Sequence, residues 1–135
     1  MAILQIWPLR GPGIRFTIYA WGNSEDCELV EFLSNLEQTA AAEHEKIFSL
    51  IKYASEHGPP KNPQKCRPLE GYHAEKLFEL KTTGGVRIIW FYDENQVIIC
   101  THGFGKVSKK ELKIHIKKAQ SIRQQYLKEQ EEDNG

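Results

Sequence analysis

The chain has 135 residues, and its 18 lysine and arginine residues are balanced by 18 aspartate and glutamate residues. This length favours a single domain over residues 1–135, and a composition with 40% hydrophobic and 27% charged residues is typical of a globular protein and excludes an intrinsically disordered one. No apolar run approaches the roughly 20 residues of a membrane span, and the three cysteines form no Cys-x-x-Cys pattern, so we expect a cytoplasmic protein with no membrane partner and no disulfide framework.

The N-terminal segment predicts one strand and a candidate for another. Residues 14–19 alternate between apolar and polar side chains and are rich in β-branched and aromatic residues, which is typical of a strand. We expect residues 1–13 to be an N-terminal extension or to contain an extra strand. A turn rich in proline and glycine would then join that strand to the next one as a hairpin.

Two helices are predicted after this strand. Asn23 or Ser24 is expected to cap the first, because acidic residues follow it and apolar residues recur at helical spacing over residues 29–36. The second is expected over residues 39–57. Gly58 and the two prolines that follow it prevent its continuation.

Three strands in quick succession are predicted in the second half of the chain. After a polar loop at residues 61–71, candidate strands occupy residues 76–81, 86–92 and 96–102. Short connections rich in Gly, Asp and Asn separate them, so we expect an antiparallel meander. The middle segment is almost continuously apolar, which is typical of a central strand that is covered on both faces.

The C-terminal segment predicts a loop and a long helix. Residues 102–106 contain two glycines and are expected to form the loop, after which Ser108 caps a helix that ends near Lys128. Residues 129–135 are expected to be a disordered acidic tail. The predicted fold class is therefore α+β. It combines a small antiparallel sheet, made of the meander and the N-terminal strand, with two N-terminal helices and a C-terminal helix on one face.

Charge is strongly segregated along the chain, although the total is neutral. Residues 25–45 contain seven acidic residues and no lysine or arginine, whereas residues 101–128 contain eight basic residues and one acidic residue. Lys110, Lys113 and Lys117 would lie on one flank of the C-terminal helix. Such runs are often solvated helix faces, and that interpretation stays open beside the binding of a polyanion.

Cationic residues also surround the ends of the predicted strands. The residues that could converge there are Lys81, Arg87, His102, Lys106, Lys109 and Lys110. A polyanion is the natural ligand of such a set. If the ligand is RNA, the set could promote attack of a ribose 2′-hydroxyl on the adjacent phosphate, with cations stabilising the transition state and a lysine or histidine moving the proton.

Structural roles for the same residues remain open. Arg87 could pair with Glu79, His102 could bond to the backbone, and Lys76 and Lys81 could protect strand edges. The five histidines show no pair at i, i+4 on one helix face and have no accompanying acidic cluster, so we expect neither a metal nor another cofactor.

Three ordered segments resemble the RelE/HigB superfamily of type II toxins, especially its phage-derived HigB-like branch. Residues 69–71 (LEG) and 77–81 (LFELK) are similar to the family's LEG…LWELR. Residues 86–91 (VRIIWF) are similar to its YRIFYF, and residues 102–110 (HGFGKVSKK) to its HGFVKKTQK. Four residues fit the helix that follows: Ile116, Ala119, Arg123 and Tyr126.

This resemblance implies a RelE-like fold and a ribosome-dependent endoribonuclease that cuts mRNA without a metal. It also implies a cognate antitoxin, which we expect to be a helix-turn-helix protein from an adjacent reading frame. Carried over by position, Arg87 and Lys106 bind phosphate and stabilise transition-state charge, and Lys81 or His102 moves the proton. The lysines expected to bind nucleic acid are Lys76, Lys109, Lys110, Lys113 and Lys117.

The chain also departs from the family pattern near the expected site. Val107 replaces the usual second lysine, and Leu112 and His115 replace the usual proline and glutamate at the start of the last helix. Lys81 stands where arginine is common. These differences keep open a second function, in which the chain is a non-catalytic RelE-like module that binds nucleic acid or a protein.

Overall fold

The computed structural model of the chain describes residues 3–5, 15–93 and 96–134. Within these residues the chain forms six strands and three helices, and the predicted α+β class is confirmed. In chain order they are β1 (Ile3–Gln5), β2 (Thr17–Trp21), α1 (Glu28–Thr39), α2 (Ala41–His57), β3 (Cys66–Pro68), β4 (Phe78–Lys81), β5 (Arg87–Asp93), β6 (Val97–Phe104) and α3 (Lys109–Asn134).

All the described strands belong to one sheet, in the order β1-β2-β6-β5-β4-β3. Strands β4, β5 and β6 form the predicted antiparallel meander. Strand β2 joins this meander parallel to β6, with Ile18 opposite Ile98. The sheet is therefore mixed, and the prediction of a purely antiparallel sheet was wrong. The connection from β2 to β6 includes two helices, which gives it the length that a parallel pair requires.

Two short strands lie at the edges of the sheet. β1 pairs antiparallel with β2, with Leu4 opposite Ala20, so an extra strand does occur within residues 1–13. The turn expected after it lies outside the described residues. β3 pairs with β4, with Arg67 opposite Glu79. The segment at 61–71 was expected to be only a loop, and its three-residue strand corrects that prediction.

Helices cover both faces of the sheet. Alternate β5 residues point to opposite sides: Ile88 and Trp90 pack with α1 and α2, whereas Ile89 and Phe91 pack with α3. All four of these side chains are buried, which explains the continuous apolar run in the sequence. The prediction that the helices lie on one face was therefore wrong, since a strand that is apolar on both sides needs two covering layers.

The predicted cap of the first helix was wrong, because the N-cap of α1 is Cys27 and not Asn23 or Ser24, whereas the predicted end of α2 is confirmed. Asn23 Oδ1 accepts hydrogen bonds from the backbone N–H groups of Glu25 and Asp26, which forms a turn, and α1 begins only at Glu28. Helix α2 ends at His57, and the Gly58 that follows has a φ of +85°, which glycine adopts without strain.

Helix α3 begins with a capping box and is longer than predicted. Ser108 Oγ accepts a bond from the Glu111 N–H, while Glu111 Oε1 accepts from the Ser108 N–H. The helix continues to Asn134. Residues 129–134 are therefore helical, where a disordered tail was expected. None of the helices in the described part of the chain is long and apolar enough to span a membrane.

Candidate functional site

Three of the four predicted catalytic residues lie at one end of the sheet. Lys81 and Arg87 are directly opposite each other in the β4–β5 ladder, and Arg87 is in turn opposite Phe104 of β6. Lys106 follows β6 and lies against the β4–β5 turn, because a Cβ at Gly85 would be 3.0 Å from the Lys106 Cβ. We call Lys81, Arg87 and Lys106 the cationic end of the sheet.

A buried carboxylate partly balances this end. Glu79 is fully buried, and its Oε1 accepts a 2.8 Å bond from Arg67 Nε. Its Oε2 lies 3.7 Å from Nη1 of Arg87, whose side chain is only 13% exposed. The pairing of Arg87 with Glu79, left open by the sequence, is therefore present. Within the described residues Arg87 Nε is buried and has no hydrogen-bond partner.

A bulge in β6 sets the direction of His102. Ile89 is opposite His102 and Trp90 is opposite Cys100, so Thr101 is an extra residue in the ladder. Without that extra residue His102 would point to the same side as Cys100, toward α1 and α2. The bulge turns it to the α3 side, where Arg87 and Ile89 also point.

His102 is buried and takes part in a chain of hydrogen bonds. Thr101 Oγ1 donates a 3.2 Å bond to the Ile89 carbonyl and lies 2.9 Å from His102 Nδ1. His102 Nε2 lies 3.0 Å from Nδ1 of His115 on α3. The His102 residue is 1% exposed, whereas His115 is partly exposed. We call these two rings the imidazole pair.

The surroundings of the imidazole pair favour neutral rings. Burial, then the charges of Lys118 and His115, lower the pKa of His102 to about 4, and Glu28 opposes this. Burial and Lys118 also lower the pKa of His115, against the opposing effects of Glu111 and Glu28. At neutral pH each ring therefore has one N–H donor and one basic nitrogen.

Phe104 connects the imidazole pair to the cationic end of the sheet. Its ring is parallel to that of His115, with centroids 3.8 Å apart, and is 5.5 Å from that of His102. Since Phe104 is also opposite Arg87 in the ladder, these residues form a continuous row on the α3 side of the sheet.

The five predicted nucleic-acid-binding lysines are all exposed: Lys76, Lys109, Lys110, Lys113 and Lys117. Gln120 of α3 donates bonds to the carbonyls of His73 and Glu75, which ties the turn that contains Lys76 to α3. Lys113 and Lys117 lie on the same helix flank as Gln120. The predicted RNA-binding lysines of α3 therefore lie on its β4 side, whereas His115 and Lys118 lie on the opposite flank of the helix.

An open cleft beside the cationic end separates α2 from β4. Its volume is about 470 Å³, and its lining includes Lys46, Lys65 and Lys81. Lys46 Nζ bonds to Thr83 Oγ1 across it. Lys81 is therefore opposite Arg87 in the ladder and also lines the cleft on the α2 side. The described residues contain no group of three or more histidine, cysteine or acidic side chains that could hold a metal.

Sequence reasoning missed two residues of this arrangement, His115 and Thr101. His115 was noted only as a departure from the family pattern, yet it lies one helical turn from Leu112 and from Ala119 on the apolar side of α3. A histidine at the spacing of the apolar residues could have indicated a polar side chain that faces the sheet. Thr101 gave no signal, because a bulge cannot be seen in a run of strand-forming residues.

Comparison with protein families matches residues 31–124 to a family described as phage derived protein Gp49-like (DUF891). That match covers well over half of the chain and includes the cationic end, the imidazole pair and most of α3. Comparison with curated proteins finds no match. The architecture of the sheet and its helices is consistent with a RelE-like fold.

Proposed function

The chain belongs to the phage-derived Gp49-like family, which is part of the RelE/ParE-like toxin superfamily, and we propose that it is the toxin of a type II toxin–antitoxin system that cleaves mRNA on the ribosome. The family is toxin-like and implies an antitoxin partner. Within this proposal the chain is of the HigB-like branch and acts in the cytoplasm. The antitoxin is a helix-turn-helix protein from an adjacent reading frame.

One observation carries the proposal, namely that Lys81 and Arg87 are direct cross-strand partners with Lys106 at the same end of the sheet. Like charges directly opposite each other destabilise a sheet. Glu79 compensates for part of this charge, but it also pairs with Arg67, and among the described residues no ion pair joins Lys81 or Lys106 to an acidic side chain. A phosphate backbone supplies the missing negative charge.

The reaction that fits this arrangement is an internal transesterification of the RNA. The ribose 2′-oxygen attacks the adjacent phosphorus, the bond from phosphorus to the 5′-oxygen breaks, and the products are a 2′,3′-cyclic phosphate and a 5′-hydroxyl. Arg87 and Lys106 bind the phosphate and stabilise the charge of the transition state. Lys81 donates a proton to the leaving 5′-oxygen. The lysines of α3 and Lys76 hold the flanking strand.

The experiment is expression of the chain without its antitoxin, followed by growth measurements and mapping of mRNA 5′ ends. We expect growth arrest with new 5′ ends inside messages, and relief of both by Arg87→Ala. Arg67→Ala is the matched control, because it also removes a partner of Glu79 but lies outside the cationic end. Normal growth with intact messages, or equal toxicity of Arg87→Ala, would refute the assignment.

A non-catalytic RelE-like binding module is the second candidate. Two observations favour it: His102 is buried, and Arg87 is paired with a buried carboxylate. It predicts RNA or protein binding that weakens as salt increases, with no cleavage. Cleavage of ribosome-bound message by the purified protein would exclude it.

A further inference from the structure

We propose that His115 is the proton acceptor of this site, and that Thr101 and His102 are positioning residues that fix its tautomer. This inference rests on the proposed function, which left the proton acceptor unassigned. It goes against the sequence-based assignment of proton transfer to His102. Its basis is the chain of hydrogen bonds that runs from the Ile89 carbonyl to the ring of His115, which is the outer ring of the pair.

The direction of each bond follows from the number of protons available. The Ile89 carbonyl can only accept, so the single hydroxyl proton of Thr101 is directed to it. Thr101 Oγ1 can then only accept from the neighbouring ring. His102 Nδ1 must therefore carry the proton in their 2.9 Å contact, which leaves Nε2 of His102 as an acceptor.

The same reasoning extends to the outer ring. Because His102 Nε2 is an acceptor, Nδ1 of His115 must donate in their 3.0 Å contact. The neutral His115 ring then carries its lone pair on Nε2. A buried threonine and a buried histidine thus hold a partly exposed imidazole in one tautomer, which is the arrangement required of an oriented general base.

Phe104 links the His115 ring to Arg87, which is one of the groups assigned to the phosphate. The ring stacks on Phe104 with centroids 3.8 Å apart, and Phe104 is opposite Arg87. His102 cannot take this role itself, because it is 1% exposed and both its nitrogens are engaged. His115 is the imidazole of the pair that RNA can reach.

Burial of the ring, together with the neighbouring charges, keeps the free nitrogen of His115 unprotonated. Lys118 on α3 disfavours a second positive charge, whereas Glu111 on α3 and Glu28 on α1 favour it. His102 faces the ring from β6. The balance lowers the pKa of His115, so its neutral form is present at neutral pH. In the reaction, Nε2 takes the proton of the 2′-hydroxyl as the bond from that oxygen to phosphorus forms, and later releases it to water.

Two measurements test this inference, and the first does not depend on activity. Nitrogen-15 NMR of the imidazole rings in the full chain at neutral pH should show the Nδ1–H tautomer for both His102 and His115. Thr101→Val, which removes the hydroxyl acceptor, should introduce the other tautomer at His102. An Nε2–H tautomer of His102 in the wild-type chain would overturn the inference.

The second measurement is cleavage of ribosome-bound message by purified variants. His115→Asn keeps a donor that can reach His102 but has no basic nitrogen, and we expect cleavage to fall by about 100-fold or more. A circular dichroism spectrum like that of the wild type verifies folding. His57→Asn, on the exposed end of α2, is the matched control and should retain activity.

The pH profile separates a positioning role from a structural one. Wild-type cleavage should fall toward acid pH with a midpoint below the usual imidazole pKa, and Thr101→Val should lower the rate without unfolding the chain. Cleavage by His115→Asn within about threefold of the wild type would refute the inference while leaving the proposed function intact. A wild-type chain that cleaves no message would refute the proposed function, and the catalytic role of His115 with it.

Discussion

Acid should destabilise this protein in a way that depends on His102. The unfolded chain binds a proton at this ring below a pKa of 6.5, whereas burial lowers the pKa in the folded chain to about 4. Between these values the unfolded state holds more protons than the folded state. The free energy of unfolding therefore rises with pH in this window, and the contribution is complete above 6.5 and lost as the pH falls toward 4.

The size of this effect follows from the pKa difference. Each pKa unit corresponds to about 1.4 kcal/mol, so the interval from 6.5 to about 4 is worth about 3 kcal/mol. That is a large part of the roughly 5–15 kcal/mol of a typical domain. Because the pKa of His115 is also lowered, this ring too reduces the free energy of unfolding as the pH falls. Protonation of His102 would also remove the acceptor on which His115 depends.

The assay is urea denaturation followed by circular dichroism at several pH values between 4 and 7. His102→Gln removes the titrating ring but keeps polar atoms in its place. We expect the free energy of unfolding of the wild type to fall by about 3 kcal/mol more than that of this variant across the window. His57→Gln, which removes an exposed imidazole on α2, should behave as the wild type. Parallel pH profiles for the wild type and His102→Gln would refute the reasoning.

Three further outcomes follow from the packing and charge of the described residues. Glu79→Gln removes the carboxylate that pairs with the largely buried Arg87, and urea denaturation should show a loss of about 3 kcal/mol. Gly22→Ala would place a Cβ 2.6 Å from the Asp26 carbonyl oxygen at a φ of +137°, so we expect a loss of more than about 2 kcal/mol, measured in the same way. Lys118→Met removes a charge that lowers the pKa of the outer imidazole, and its midpoint in an NMR titration should move upward; an unchanged midpoint would contradict this account.

Local patterns in the sequence predicted most of the elements. The spacing of apolar residues located all three helices, and apolar runs separated by turn residues located the meander, because both signals depend on neighbouring residues. The expected cap at Ser108 placed the start of α3. The edge strand β3 was missed, since a three-residue strand that contains Pro68 has no periodicity of its own and is defined by its partner β4.

Long-range features were beyond local patterns. The parallel pairing of β2 with β6 joins segments that no turn connects, so the sequence indicated only an antiparallel sheet. The convergence of Lys81, Arg87 and Lys106 was predicted as a possibility, and the structure has Lys81 opposite Arg87 and Lys106 against the turn between their strands. The direction of His102 was not predictable, because one bulged residue reverses the side to which it points.

The pairing of β2 with β6 also constrains the order in which the protein folds. Thr17 of β2 is opposite Val97, which lies 80 positions further along the chain. The hairpins of the meander close over short loops, whereas this contact must close a long one and is intrinsically slower. During synthesis β2 has no partner in β6 until that strand emerges, and α3 emerges later still. The row of Arg87, Phe104 and His115 needs α3, so it is completed only after α3 has emerged, which separates the appearance of the N-terminal helices from the assembly of the proposed site.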